Sequence, residues 1–375
     1  MTTFQRSPSR KWLGRIILVF VSFLLVFALG EVATRIYQFL RYQIPLTGTG
    51  LDQSSAEKLH PVARLPNILD RRLGWRGTPN YRYQGQEHNP DGTVYPLLVS
   101  KGSQGFRAFG AVSTSKPKIF VLGDSFTEAL QVSDEQTYYA ILGRVLGCEI
   151  FAAGSGGYGS LQEYMLLDQY FDQIHPDLVL WQFCYNDFMD NCYDLSMQWK
   201  AGSLSLERPY LEHGQIVYRM PRRFPWLYKF ASQWSRFLYL LTTRLDRLLA
   251  PPPGKDLLLQ AIVRQRDAHP TFAESVGITD QIMGKVADRV RSTPVVVFES
   301  CTTSAAFFPV IERIALRHGM RFVKNLPGVL DIAEQKGHRL RSSDGIHWNP
   351  DGHRMVADAL GQFLKANHLI RDQDP

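Results

Sequence analysis

Three residues of the sequence have the chemistry needed for nucleophilic catalysis. Ser125 lies in the segment Leu-Gly-Asp-Ser-Phe (122–126), and Asp344 and His347 stand three positions apart in a segment near the carboxyl end (343–350). A serine hydroxyl is a weak nucleophile until a base takes its proton, and a third group must hold that base in one tautomer. Ser125, His347 and Asp344 can fill these three roles, so the sequence predicts a catalytic triad.

An alternation of apolar strands and amphipathic helices from residue 116 onward would position these residues. Strands are predicted at 118–122, 148–152, 178–183, 294–299 and 321–323, and helices at 137–146, 161–174, 279–291, 305–318 and 352–366. Asn349 is expected to cap the last helix, with Pro350 at its first position. This order predicts an α/β fold, a three-layer α/β/α sandwich around a mostly parallel five-stranded sheet.

The candidate site residues follow the ends of different strands. Ser125 follows the first strand, Gly154 the second and Asn186 the third, while Asp344 and His347 follow the last. In open parallel sheets, ligands bind beyond the carboxyl ends of the strands. We therefore expect these residues to meet at one edge of the sheet.

These blocks resemble the SGNH hydrolases, also called GDSL-type esterases and lipases. The four name-giving residues would be Ser125, Gly154, Asn186 and His347, with Asp344 as the acid of the triad. The blocks stand in the family's order across residues 116–188 and 276–369, and the first, Gly-Asp-Ser-Phe-Thr-Glu, is similar to that of bacterial membrane-anchored members. The resemblance implies the flavodoxin-like fold of that family.

The resemblance also implies an oxyanion hole. Its donors would be the backbone N–H groups of Ser125 and Gly154 and the side-chain amide of Asn186, which suits a reaction in which a carbonyl oxygen gains negative charge. One departure from the family pattern is Cys184, where many members have glycine. This departure concerns the shape of the loop and removes no catalytic group.

The function implied is hydrolysis of carboxylic esters through an acyl-serine intermediate. Short O-acyl groups on small molecules or on envelope or extracellular glycans are the expected substrates. Two alternatives stay open: an O-acyltransferase that modifies a polysaccharide with the same triad, and a non-catalytic envelope-binding protein. Five aromatic residues adjoin the candidate site and either line a sugar-binding cleft or pack in the core: Tyr158, Trp181, Tyr185, Phe188 and Trp348.

No cofactor or metal is expected. Gly154, Gly156 and Gly159 satisfy a dinucleotide-binding pattern, but they follow the second strand and no acidic residue ends the next one. Asp344, His347 and His353 form the one conceivable metal cluster, and no second cluster supports it. His353 is expected to be structural.

The net charge of +7 does not indicate nucleic-acid binding, because it is concentrated in two segments. Residues 1–15 carry Arg6, Arg10, Lys11 and Arg15 without an acid, and residues 219–250 carry seven basic residues against one acid. The rest of the chain is net acidic. The sequence gives no indication of the oligomeric state.

The first basic segment precedes a run of 19 mainly apolar residues, 12–30. A helix of this length spans about 28 Å, close to the hydrocarbon core of a bilayer. The positive start predicts a cytoplasmic tail (1–11), a single-pass anchor in the inner membrane, and an extracytoplasmic catalytic domain. A signal peptide cleaved near Gly30 is the alternative.

Two segments lie outside the predicted core. Residues 31–115 are expected to be an irregular extension, and residues 189–275 an insertion with an amphipathic helix at about 225–250. That helix is expected to pack on the enzyme body, with a position at the membrane surface as the alternative. Four cysteines lack metal-ligand spacing, and are expected to be buried or loop thiols, with a Cys184–Cys192 disulfide as the alternative.

Overall fold

The computed structural model describes residues 8–42, 46–47, 65–199, 206–222, 224–249, 255–301 and 306–370. Most of the predicted basic tail and residues 48–64 of the predicted extension lie outside these ranges. The chain forms two compact units by internal contacts. One comprises residues 1–63 and 224–249, and the other residues 64–223 and 250–375.

The helices and strands are numbered in chain order. They are α1 (Pro8–Tyr42), β1 (Asn67–Asp70), β2 (Gly74–Gly77), β3 (Arg82–His88), β4 (Val94–Ser100), β5 (Ala108–Phe109), β6 (Lys118–Gly123), α2 (Ser125–Glu128), α3 (Tyr138–Leu146), β7 (Glu149–Gly154), α4 (Ser160–Ile174), β8 (Leu178–Phe183), α5 (Asn186–Asn191), α6 (Tyr193–Trp199), β9 (Arg208–Glu212), β10 (Gln215–Arg219), α7 (Pro225–Trp234), α8 (Arg236–Leu249), α9 (Lys255–Gln265), α10 (Pro270–Val290), β11 (Val295–Glu299), α11 (Phe308–Arg317), β12 (Arg321–Val323), α12 (Leu326–Gln335) and α13 (Pro350–Ala366).

The central sheet has the strand order β12-β11-β8-β6-β7-β5. The five predicted strands are all present and parallel to one another. The sheet nevertheless has six strands rather than five, because β5 pairs antiparallel with the outer edge of β7. A strand of two residues is too short to leave a periodic pattern in the sequence.

Helices cover both faces of this sheet, as the α/β/α prediction requires. Leu178 and Leu180 of β8 pack with α3, α12 and α13, whereas Val179 and Trp181 pack with α4, α10 and α11. All six residues of β8 are buried. A strand with both faces covered is mostly apolar, and β8 is apolar except for Gln182, which explains why this segment shows no alternation in the sequence.

The segments outside the core have more regular structure than predicted. The extension contains two antiparallel hairpins, β1–β2 and β3–β4, and the insertion contains a third, β9–β10. Helix α10 begins at Pro270 instead of at residue 279, and α12 was not predicted. The predicted amphipathic helix consists of two helices, α7 and α8, which are separated at Ser235.

By their contacts, α7 and α8 belong to the same compact unit as α1. The packing of this segment on the enzyme body stays a prediction. The carboxylate of Glu31 in α1 accepts hydrogen bonds from Ser235 Oγ at 2.7 Å and from the N–H of Phe237 at 2.9 Å. It thereby caps the amino terminus of α8. Helix α1 continues through Gly30, and its segment Trp12–Arg41 is long and apolar enough to cross a membrane.

Candidate active site

The candidate nucleophile lies at the turn between β6 and α2. Ser125 is the first residue of α2, and the Asp124 side chain caps this helix by accepting a hydrogen bond from the N–H of Phe126 at 3.0 Å. Beneath the turn, Gln182 of β8 accepts hydrogen bonds from the N–H of Asp124 at 2.9 Å and from Thr127 Oγ1 at 3.0 Å. These buried bonds fix the turn, so Ser125 is held at the carboxyl end of the sheet, as predicted.

The candidate base and acid lie next to Ser125 although they are more than 200 residues away in sequence. His347 Nε2 is 2.8 Å from Ser125 Oγ, and His347 Nδ1 is 2.5 Å from Asp344 Oδ2. Nδ1 must carry the proton in the tautomer in which Nε2 can accept one from Ser125. The structure therefore brings the three residues into a continuous chain of hydrogen bonds.

The segment 342–347 holds the acid in position. Asp344 Oδ1 accepts hydrogen bonds from the N–H groups of Ile346 and His347, both at 2.9 Å. Partial burial alone would raise the pKa of the Asp344 carboxyl, but the bonds from the His347 ring and from these N–H groups outweigh it and lower that pKa. Asp344 is therefore ionised and can stabilise a positively charged His347.

The predicted oxyanion-hole residue Gly154 ends β7, where it is paired with Gly123 at the end of β6. A β-carbon at position 154 would lie 2.7 Å from the carbonyl oxygen of Gly123 and 2.8 Å from Thr127 Cβ. Only glycine lets the two strand ends approach this closely. Two residues later, a β-carbon at Gly156 would lie 3.8 Å from Ser125 Cβ, so this loop lies against the candidate nucleophile.

The third predicted oxyanion-hole residue, Asn186, is the first residue of α5. Its Nδ2 donates to Asp124 Oδ2 at 3.4 Å and to Asp190 Oδ2 at 3.2 Å. Both distances exceed the usual 2.9–3.0 Å or so of an N–H···O bond. The structure thus brings the Asn186 amide next to the residue that precedes Ser125, between two carboxylates.

Two of the carboxylates at this site were not predicted. Glu128 accepts a hydrogen bond from the N–H of Gly156 at 2.7 Å, and Asp190 accepts one from Asn186. Each acid follows a predicted block closely, Glu128 three residues after Ser125 and Asp190 four after Asn186. One helical turn of separation is the only signal in the sequence that could have indicated these contacts.

The aromatic residues near the site are mostly part of the core. Tyr158, Trp181, Phe188 and Trp348 are buried, and only Tyr185 is partly exposed. Four of the five therefore cannot line a sugar-binding cleft, and for them the core-packing alternative is correct. Phe126, which was not predicted to be part of the site, packs against His347 and Trp348. The distances between ring centres are 4.9 and 4.7 Å.

The structure pairs Cys184 with Cys301, which corrects both expectations for Cys184. Cys148 and Cys192 are free and buried. The disulfide joins the ends of the adjacent strands β8 and β11, and it lies two residues before Asn186. A sequence separation of 117 residues hid this pairing, because only the register of the two strands brings the cysteines together.

The contacts of His353 are those of a structural residue. It is buried in the first turn of α13, and its Nδ1 accepts a hydrogen bond from the N–H of Tyr138 at 3.1 Å. Burial, together with the charges of Arg107 and His347, lowers the pKa of His353 to about 3. Asn349 caps the same helix with Pro350 at its first position, as the sequence predicts.

The model of the family described as GDSL-like Lipase/Acylhydrolase matches residues 119–360 of this chain. Similar solved structures include the lipase/acylhydrolase from Enterococcus faecalis, with 12% identity and a TM-score of 0.39 over 69% of this chain and 100% of that one. The esterase EstA from Pseudoalteromonas sp. has 13% identity and a TM-score of 0.36, over 67% of this chain and 98% of that one. The family 3 carbohydrate esterase of Clostridium thermocellum has 13% identity and a TM-score of 0.36, over 68% of this chain and 99% of that one. No curated protein sequence matches the chain significantly.

Proposed function

The chain belongs to the GDSL-like lipase/acylhydrolase family and is an ester-hydrolysing enzyme, and from this premise we propose that Ser125, His347 and Asp344 form its catalytic triad. One observation carries the proposal: the continuous chain of hydrogen bonds from Ser125 through His347 to Asp344. A non-catalytic envelope-binding protein would not need this arrangement.

The proposed reaction has two steps. Ser125 Oγ attacks the ester carbonyl while His347 Nε2 takes its proton, and the tetrahedral intermediate collapses when His347 returns that proton to the departing alcohol. Water then attacks the acyl-serine with the same help from His347. The N–H groups of Ser125 and Gly154 and the amide of Asn186 would stabilise the oxyanion in both steps.

The substrate we propose is a short O-acyl ester, on a small molecule or on an envelope or extracellular glycan. The polar groups beside Ser125 support a short acyl group: His347 bonds to its hydroxyl, and the Asn186 amide bonds to the preceding residue, Asp124. We expect kcat/KM to be highest for acetyl esters of nitrophenol. A clear rise from acetyl to long-chain esters would show that the enzyme is a lipase instead.

The proposed location is the inner membrane, with α1 as a single-pass anchor and the catalytic unit outside the cytoplasm. Arg10, Lys11 and Arg15 at the start of α1 support this orientation, and the Cys184–Cys301 disulfide supports an oxidising compartment. The contact of Phe27 with Phe237 of α8, with 5.8 Å between ring centres, favours a retained anchor over a cleaved signal peptide, because cleavage near Gly30 would remove Phe27. Extraction only by detergent, and not by carbonate, would agree with the anchor; release of a shortened soluble chain would contradict it.

The triad proposal is tested by covalent labelling of the full-length protein in detergent with a fluorophosphonate probe. The wild type should be labelled and should hydrolyse nitrophenyl acetate, whereas Ser125→Ala should do neither. Ser103→Ala, which changes an exposed serine of the extension, is the matched control and should behave as wild type. Labelling that persists in Ser125→Ala would overturn the assignment.

A further inference from the structure

The loop that contains Gly154 and Gly156 is held by a buried ion pair with a residue of the extension. Glu128 Oε2 accepts the N–H of Gly156, while its Oε1 lies 2.6 Å from Lys101 Nζ. The side chains of Lys101 and Glu128 are 0% and 2% exposed. Lys101 follows β4, so a cation from outside the core supports the segment that carries one oxyanion-hole donor.

Asn186 is held in the same way by a residue of the insertion. Asp190 Oδ2 accepts its hydrogen bond from Asn186, while Asp190 Oδ1 lies 2.8 Å from Nη1 of Arg208. The Arg208 and Asp190 side chains are 1% and 0% exposed. Arg208 is the first residue of β9, so its position depends on the hairpin of the insertion.

The two cations lie in segments that also contact each other. The guanidinium of Arg208 lies 5.2 Å from the ring centre of Trp75 in β2, and its Nη2 donates to Gln162 Oε1 at 2.6 Å. Trp75 Nε1 in turn donates to the carbonyl oxygen of Gly156 at 3.1 Å. Extension, insertion and oxyanion-hole loop are thus joined in one buried network.

We propose that the ion pairs Lys101–Glu128 and Arg208–Asp190 position the loop of Gly154 and Gly156 and the amide of Asn186, and that they cancel the charge of the two carboxylates that hold these groups. Lys101 and Arg208 are then positioning residues, and the extension and the insertion are working parts of the active site. The proposal rests on the oxyanion hole proposed above.

The physical reason is electrostatic. Glu128 and Asp190 are useful as acceptors that orient an N–H group and an amide, but a bare carboxylate close to the oxyanion would repel the charge that develops in the transition state. Interactions between charges are strong where water is excluded. A buried cation on the far oxygen of each carboxylate removes the repulsion and leaves the near oxygen free to orient the donor.

The test compares single and double variants of the full-length enzyme on nitrophenyl acetate. Arg208→Met and Lys101→Met should each lower kcat by about 10²-fold, the scale of a displaced catalytic group, with KM within about threefold of wild type. Asp190→Asn added to Arg208→Met, and Glu128→Gln added to Lys101→Met, keep an acceptor but remove the uncompensated charge. Each double variant should therefore recover kcat relative to its single variant.

A merely structural role predicts the opposite order, because the second substitution would add a further defect. Double variants no more active than the single ones, or single variants with wild-type kcat, would overturn the proposal. If Arg208→Met does not fold, Arg208→Lys is used for the test. This variant keeps the charge but cannot reproduce the paired bonds of the guanidinium to Asp190 and Gln162. It should lose less activity than Asn186→Ala, and wild-type kcat in Arg208→Lys would also overturn the proposal.

The control is Arg289→Met, which removes an ion pair with Asp168 on the outside of the catalytic unit and should leave kcat unchanged. Failure of the proposed function itself would be visible in the wild type, as absence of hydrolysis. Failure of the present inference would be visible only in the variants, against an active wild type. The two results are therefore distinguishable.

Discussion

The two sides of the proposed active site are built differently. On the triad side, the proposed base and acid come from one short segment, the bonds between them link residues three positions apart, and Asp344 is partly exposed. On the oxyanion side, Gly156 and Asn186 bond to buried carboxylates, whose cations lie 27 and 18 residues away in sequence. One side is a local turn, and the other depends on segments outside the core.

The two sides therefore depend on different parts of the fold. The triad side needs only the segment before α13 to dock against the turn between β6 and α2. Its chemistry depends on the identities of Ser125, Asp344 and His347. The oxyanion side needs three separate segments to meet at the carboxyl ends of β7 and β8. We therefore expect triad substitutions to affect rate with little loss of stability, and substitutions on the oxyanion side to affect both.

Among variants that keep Ser125 and His347, Asp344→Asn should have the largest effect on the triad side. The variant keeps the size of the side chain but loses the negative charge that holds His347 in its tautomer and stabilises its protonated form. In a serine protease triad the corresponding change lowers kcat by about 10⁴-fold, and we expect a loss of similar size here. Steady-state hydrolysis of nitrophenyl acetate measures it. A variant with more than about a tenth of wild-type kcat would show that Asp344 is not the acid.

The residues of the triad side and the five parallel strands could be predicted from the sequence, for physical reasons. A parallel strand covered on both faces leaves an apolar run, and the Asp-x-x-His spacing keeps acid and base in one turn. Cys301, Lys101 and Arg208 carry no such local signal. Their partners are set by strand register and by the docking of hairpins, so they became visible only in three dimensions.

A second prediction concerns stability on the oxyanion side. Glu128→Gln leaves Lys101 buried without a counter-ion, and breaking a buried pair in this way typically costs about 3–5 kcal/mol. Asp351→Asn breaks the exposed pair with Arg354 and should cost at most about 1 kcal/mol. Thermal unfolding of both variants checks the difference. Equal midpoints would show that the buried pair contributes no more than a surface one.

The smallest expected effect concerns the buried His353 in the first turn of α13. His353 has its pKa lowered to about 3, whereas in the unfolded chain it would have the ordinary value of 6.5. The unfolded state therefore binds one more proton between these values, and stability falls as the pH falls from 6.5 towards 3. The stability of His353→Gln should lack this pH dependence. Thermal midpoints of the variant and the wild type, measured between pH 7 and 4, check the difference. Parallel pH dependences would contradict the assignment of a buried, neutral His353.

The acyl-serine intermediate offers the most direct test of the catalytic assignment. Full-length enzyme is mixed with nitrophenyl acetate, quenched in acid during turnover, digested, and analysed by mass spectrometry. An acetyl group should be found on the peptide that contains Ser125, and both the modification and turnover should be absent in Ser125→Ala. Acetylation of a different residue, or continued hydrolysis by Ser125→Ala, would contradict the account.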